Sequence, residues 1–100
     1  MVEVKLSFIY EFSPEEILDA LNRASDEGKK WVLASDVARI LLPIVKRYVR
    51  ENLGEEYSKE ITLHGLSISV GVNLNNLAKE GKILRKKETR FSNSFYKPLT

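Results

Sequence analysis

The apolar residues change period along the chain, and that change limits the folds open to it. Val2, Val4, Leu6, Phe8, Tyr10 and Phe12 alternate with Glu3, Lys5, Ser7, Ile9 and Glu11, the period of a half-buried strand over residues 2–12. From Ser13 the spacing lengthens to that of helices. Ser13-Pro14-Glu15-Glu16 combines a capping box with proline at the first helical position. It opens a helix over 14–26 whose stripe is Ile17, Leu18, Ala20, Leu21 and Ala24, with Asp26-Glu27-Gly28 as its stop. Glu15, Glu16 and Asp19 lie where they complement the helix dipole.

Trp31-Val32-Leu33 is too short for a helix and suits a minimal strand, with Trp31 as a core anchor. Ser35 then caps a second helix ending at Gly54, its stripe running Val37, Ile40, Leu41, Ile44, Tyr48 and Leu53 with Val45 and Val49 beside it. Pro43 interrupts the hydrogen-bond ladder, which predicts a kink near Arg39–Pro43 or two abutting helices. Residues 55–66 show no sustained period and place His64 in a loop. From Ser67 or Ser69 a third helix follows, with Val70, Leu74, Leu77 and Ala78 inward and Gly81 as its stop. Lys82–Lys87, a turn at Glu88-Thr89 and Arg90–Lys97 then read as a hairpin ended by Pro98, with Phe91 and Phe95 on one side packing on the core.

One hundred residues make a single domain, 1–100, large enough to bury a core without metal or disulfide staples. The absence of cysteine removes disulfides, thiolate zinc sites and a thiol nucleophile together. His64 is the lone imidazole, so neither a metal site nor a nucleophile–histidine–acid set is expected. No glycine-rich phosphate loop or dinucleotide pattern is present, which argues against an enzyme and against a cofactor. No apolar run approaches the roughly 20 residues of a membrane span, and no basic-apolar leader opens the sequence. A cytoplasmic protein is expected. The net charge of +2 hides an asymmetry: residues 1–69 carry nine basic against twelve acidic side chains, and 70–100 carry seven against two.

The order strand, helix, short strand, helix, helix, hairpin resembles a winged helix-turn-helix domain. The resemblance rests on Trp31–Ala38 leading into the second helix, Ser69–Ile83 as the third helix running into the sheet, and Lys82–Lys97 as the wing. It implies an α+β fold with a three-helix core, a small antiparallel sheet, a C-terminal wing and here an extra N-terminal strand. It also implies binding of double-stranded DNA in a regulatory or architectural role. On a helical projection, the outer face of the third helix carries Val72, Asn75, Asn76 and Lys79, with Ser69 at its N-terminal edge. Asparagine can pair with adenine, a valine methyl can touch thymine, and Ser69 with free helix amides can hold a phosphate. The wing adds Arg85, Lys86, Lys87 and Arg90 as phosphate contacts, with Lys97 beyond them. Two other readings stay open: a protein-assembly module on the same scaffold, and an RNA-binding or ribosome-associated protein. Residues 1–12 offer an edge through which a homodimer can form.

Overall fold

The computed structural model describes residues 10–89 and 92–99. Among these, four helices and a two-stranded antiparallel sheet make an α+β fold: α1 (Pro14–Ala24), α2 (Ala34–Leu53), α3 (Glu55–Lys59), α4 (Leu63–Lys79), β1 (Ile83–Lys86) and β2 (Phe95–Pro98). The expected core of three helices is thus joined by a short fourth, because Glu55–Lys59 closes one helical turn and a half within the stretch read as a loop.

The capping box of α1 is present as expected. The Ser13 hydroxyl accepts from the Glu16 amide, and the Glu16 carboxylate accepts from the Ser13 amide, each at 3.2 Å. The helix ends two residues before the expected stop because Asp26 and Glu27 take left-handed φ of 55° and 57°, followed by Gly28 at 86°. Ser25 is fully buried there without penalty: its hydroxyl donates to the Asn22 carbonyl and accepts from the Gly28 amide.

At the start of α2 the cap differs from expectation. Ser35 lies inside the first turn, and the N-cap is Leu33, whose amide donates to the Asp36 carboxylate at 3.0 Å. The helix runs as one through Pro43, not as two abutting pieces. Arg39 and Pro43 are both exposed, so the hydrogen bond that proline forfeits lies on the side open to water. The buried stripe is rotated from the expected one. Val37, Ala38, Leu41, Val45 and Val49 are inside, whereas Ile44 (47% exposed), Tyr48 (44%) and Leu53 (47%) are not.

Helix α4 starts four residues or more before the expected position. Thr62 is its N-cap, accepting from the Gly65 amide, so His64 belongs to the first turn of a helix rather than to a loop. Its C-terminus follows expectation. Gly81 at φ 75° lets the Lys82 amide reach the Leu77 carbonyl at 2.9 Å and the Gly81 amide reach Ala78 at 3.0 Å, which turns the chain into β1.

The core lies where α2 packs on α1, α3 and α4, and the sheet closes it, β1 against α4 and β2 against α1. The register pairs Ile83 with Pro98, Leu84 with Lys97, Arg85 with Tyr96 and Lys86 with Phe95. Val32 bridges the free edge of β2, exchanging two backbone bonds with Tyr96 at 2.9 and 2.7 Å. The expected minimal strand at Trp31–Leu33 is this bridge. The second strand begins at Phe95 rather than Arg90, and the connection that includes Glu88-Thr89 is folded by bonds between Thr89 and Ser92.

Of the expected N-terminal strand, residues 2–9 lie outside the described residues, and Tyr10–Phe12 pair with no strand among the described residues. The homodimer expected through residues 1–12 rests mainly on that same stretch. Phe12 is buried, and the Tyr10 ring meets those of Phe12 and Tyr48 edge-on at 4.9 and 5.1 Å. Tyr48 is therefore a surface partner of Tyr10 and not a core residue.

Leu41→Ala should cost about 2–5 kcal/mol of unfolding free energy, and Ile44→Ala about 1 kcal/mol or less, read from denaturant midpoints. The Tyr10 hydroxyl donates to the Glu16 carboxylate. Burial, then that bond and the carboxylate charge, push the Tyr10 pKa up to about 12. Folding favours the neutral phenol, so the stabilisation should be complete below the ordinary tyrosine pKa of 10 and be lost as pH rises toward about 12. Glu16→Gln should lower the Tyr10 transition seen by ultraviolet titration, with Tyr10→Phe identifying that transition.

Candidate nucleic-acid interface

The acid-free stretch from Ile61 to Lys79 contains the whole of α4. Leu66, Val70, Leu74 and Leu77 hold the helix on the core, and Val70, Leu74 and Leu77 are the residues expected to face inward. At about 100° per residue the opposite direction is occupied by His64, Ile68, Val72, Asn75 and Lys79. Ile68 and Val72, one turn apart, are 59% and 57% exposed. Asn76 is exposed at the edge of this face, and Ser69 is half-buried on its flank.

The expected role of Ser69 at the helix N-terminus does not survive the earlier start of α4. The unbonded amides of the first turn belong to Leu63 and its neighbours, and the Ser69 carbonyl, deep in the helix, accepts the Asn73 side-chain amide at 2.9 Å. Asn75 is turned toward the sheet. Its Oδ1 accepts from the Tyr96 hydroxyl at 2.6 Å, which fixes the side chain and ties α4 to β2. His64 and Ile68 were not expected here. The signal for them was Thr62 as a cap followed by Leu63, Leu66 and Val70 at helical spacing.

An open cleft of about 370 Å³ separates this helix from the hairpin. Leu33, Ala34 and Ser35 from the start of α2 form one wall, His64, Ser67 and Ile68 the second, and Asn93, Ser94 and Tyr96 the third. Arg85 reaches it through Ser94, to whose hydroxyl its Nε donates at 3.0 Å.

The sheet separates the cations expected on one wing surface. Side chains alternate across a strand, so Arg85 shares the inner face with buried Ile83 and Tyr96, while Leu84, Lys86, Phe95 and Lys97 share the outer one. Lys87 follows the strand and is exposed, as is Lys79 at the end of α4; Arg90 and Phe91 lie outside the described residues. Among the described residues the core aromatic of the hairpin is Tyr96, and Phe95 is half-buried, contrary to its expected packing on the core, because the register puts Phe95 opposite exposed Lys86. Trp31 is likewise half-buried and not a core anchor. Its neighbour Val32 points inward at the Tyr96 bridge, which sends the indole to the outer face. Among the described residues no cluster of three or more histidine, aspartate or glutamate side chains is placed to hold a metal, and no helix is long and apolar enough to cross a membrane.

Tyr96→Phe should lower stability by about 1 kcal/mol and leave the fold intact by circular dichroism, while increasing hydrogen exchange at the α4–β2 contact. Comparison with protein-family models, curated proteins and solved structures finds no match, so the chemistry of this face is read from its own residues.

Proposed function

We propose that the chain is a winged-helix protein that binds double-stranded DNA without chemistry of its own, α4 entering the major groove and the β1–β2 hairpin meeting the backbone. The order helix, bridge residue, helix, short helix, helix, strand, strand supports it, as does the sheet order β1–β2–Val32. The observation that carries the proposal is the acid-free outward face of α4 beside a cleft whose far wall presents Ser94, which Arg85 holds by a hydrogen bond. A polyanion meets no carboxylate along α4 itself, and the hairpin and Lys79 supply cations at its margins.

Within that reading the residues divide by chemistry. Arg85, Lys87 and Lys79 are phosphate contacts, which position the helix without reading sequence. Ile68 and Val72 present branched methyl groups at the most outward part of α4, suited to the thymine C5-methyl group. Asn76 keeps both amide functions for a base edge, whereas Asn75 already accepts from Tyr96 and serves as a strut. The same two exposed apolar side chains favour one other reading, a protein partner that covers them.

Salt dependence separates the two. Binding of a labelled duplex, followed by anisotropy, should give log affinity falling linearly with log salt, with a slope near −0.9 per phosphate engaged. Arg85→Ala and Lys87→Ala should each reduce that slope by about one on every sequence. Replacing thymine by deoxyuridine in a selected site should weaken the wild-type chain by about 0.8 kcal/mol per methyl lost, and should leave Ile68→Ala and Val72→Ala variants nearly unaffected. A flat salt response would reject the duplex and favour the protein partner.

A further inference from the structure

The outer face of the sheet, turned away from the helices, carries a chemistry that the α4 face does not use. Leu84, Lys86, Phe95 and Lys97 share it by register, and Trp31 joins them across the Val32–Tyr96 bridge. The Lys86 Nζ stands 4.6 Å from the indole centroid and the Lys97 Nζ 5.8 Å. Among the described residues neither ammonium is within ion-pair distance of a carboxylate, so the ring is their common partner. Leu84 is 41% exposed, Trp31 and Phe95 are half-buried, and exposed Lys29 and Lys30 directly precede Trp31. This face holds two aromatic rings and two lysines on strands or bridge, and no acid.

We propose that this face binds single-stranded nucleic acid, a base stacking on Trp31 while Lys86 and Lys97 leave the ring for the flanking phosphates. The exchange is favourable in each part. A cation on an exposed aromatic ring is weakly held, a base stacked on that ring is held more strongly, and each displaced ammonium gains a phosphate. Phe95 lies on the same face and offers a second ring to the neighbouring base. An intact duplex cannot use the platform, because its base faces are already stacked on one another. Sequence preference at this face is correspondingly low, since every base has a stacking surface.

Trp31 is the sole tryptophan, so its emission reports the site directly. The full chain is titrated with oligo(dT), oligo(rU), a dA·dT duplex of the same length, and vesicles of phosphatidylglycerol. Quenching by half or more with one or both single strands, and little change with the duplex, is expected; comparing the two strands shows whether deoxyribose or ribose is preferred. Lys86→Ala/Lys97→Ala should weaken single-strand binding at least tenfold. Trp31→Ala should do the same in an anisotropy assay with labelled strand, while Trp31→Phe, which keeps a stacking ring and protects the fold, should retain most of the affinity. Single-strand binding that leaves Trp31 emission unchanged, or that the double lysine variant does not weaken, overturns the proposal. Equal quenching by the duplex would assign the face to duplex binding, and a blue shift confined to vesicles would assign it to a lipid surface. Either result rejects the single-strand site without touching the salt dependence of duplex binding at α4.

Discussion

Tyr96 joins every part of the molecule that the α4 face depends on. Its backbone exchanges two hydrogen bonds with Val32, in the link between α1 and α2, and pairs with Arg85 across the hairpin. Its ring is buried with Ile83 in the core, and its hydroxyl donates to Asn75 of α4. A two-stranded hairpin is only marginally stable by itself. Here it gains a third edge contact and a hydrogen bond to a helix, so its position relative to α4 is set by one side chain that is apolar along its ring and polar at its tip. The cleft between the hairpin and α4 has a defined shape because Tyr96 forms part of its wall.

That arrangement explains the separation of the cations. A strand that buries Ile83 and Tyr96 must send Lys86 and Lys97 the other way, whatever the hairpin binds. Arg85 stays exposed on the inner side, where the Ser94 hydroxyl accepts from its guanidinium. The excess of basic residues in the C-terminal third is therefore distributed over two surfaces with different neighbours: an acid-free helix on one side and an indole on the other. Net charge counted along the chain describes neither.

Much of this was legible in the residues, and the exceptions have physical causes. The α1 capping box, the inward residues Val70, Leu74 and Leu77, and the Gly81 turn into β1 are local signals, settled within one or two turns of helix. The stripe of α2 is not local. Over 20 residues it offers two adjacent apolar rows, Ile44 with Tyr48 and Val45 with Val49, and only contact with α1, α3 and α4 selects the second. The start of α4 was hidden by Gly65, a poor helix former within its first turn, although Thr62 caps it correctly. Register was the least legible feature. Period two puts Phe91 and Phe95 on one side of a hairpin but does not say which side faces the core, and the observed register turns Phe95 outward and buries its neighbour Tyr96.

The α4 face was read in outline and changed in its members, and the change alters its chemistry. With Ser69 on the flank and Asn75 bonded to Tyr96, the polar reading centred on amides gives way to one centred on Ile68 and Val72. Two branched side chains left in water on an otherwise polar surface carry a hydration cost that burial elsewhere in the fold does not remove. A ligand that covers them recovers that cost only if it also tolerates the surrounding hydroxyls and amides of Ser67, Asn76, Asn93 and Ser94. A DNA major groove satisfies both demands, since thymine methyl groups stand there beside hydrogen-bonding base edges. An apolar protein surface would satisfy the first demand and leave the hydroxyls and amides desolvated without partners, which is the physical ground for preferring the duplex.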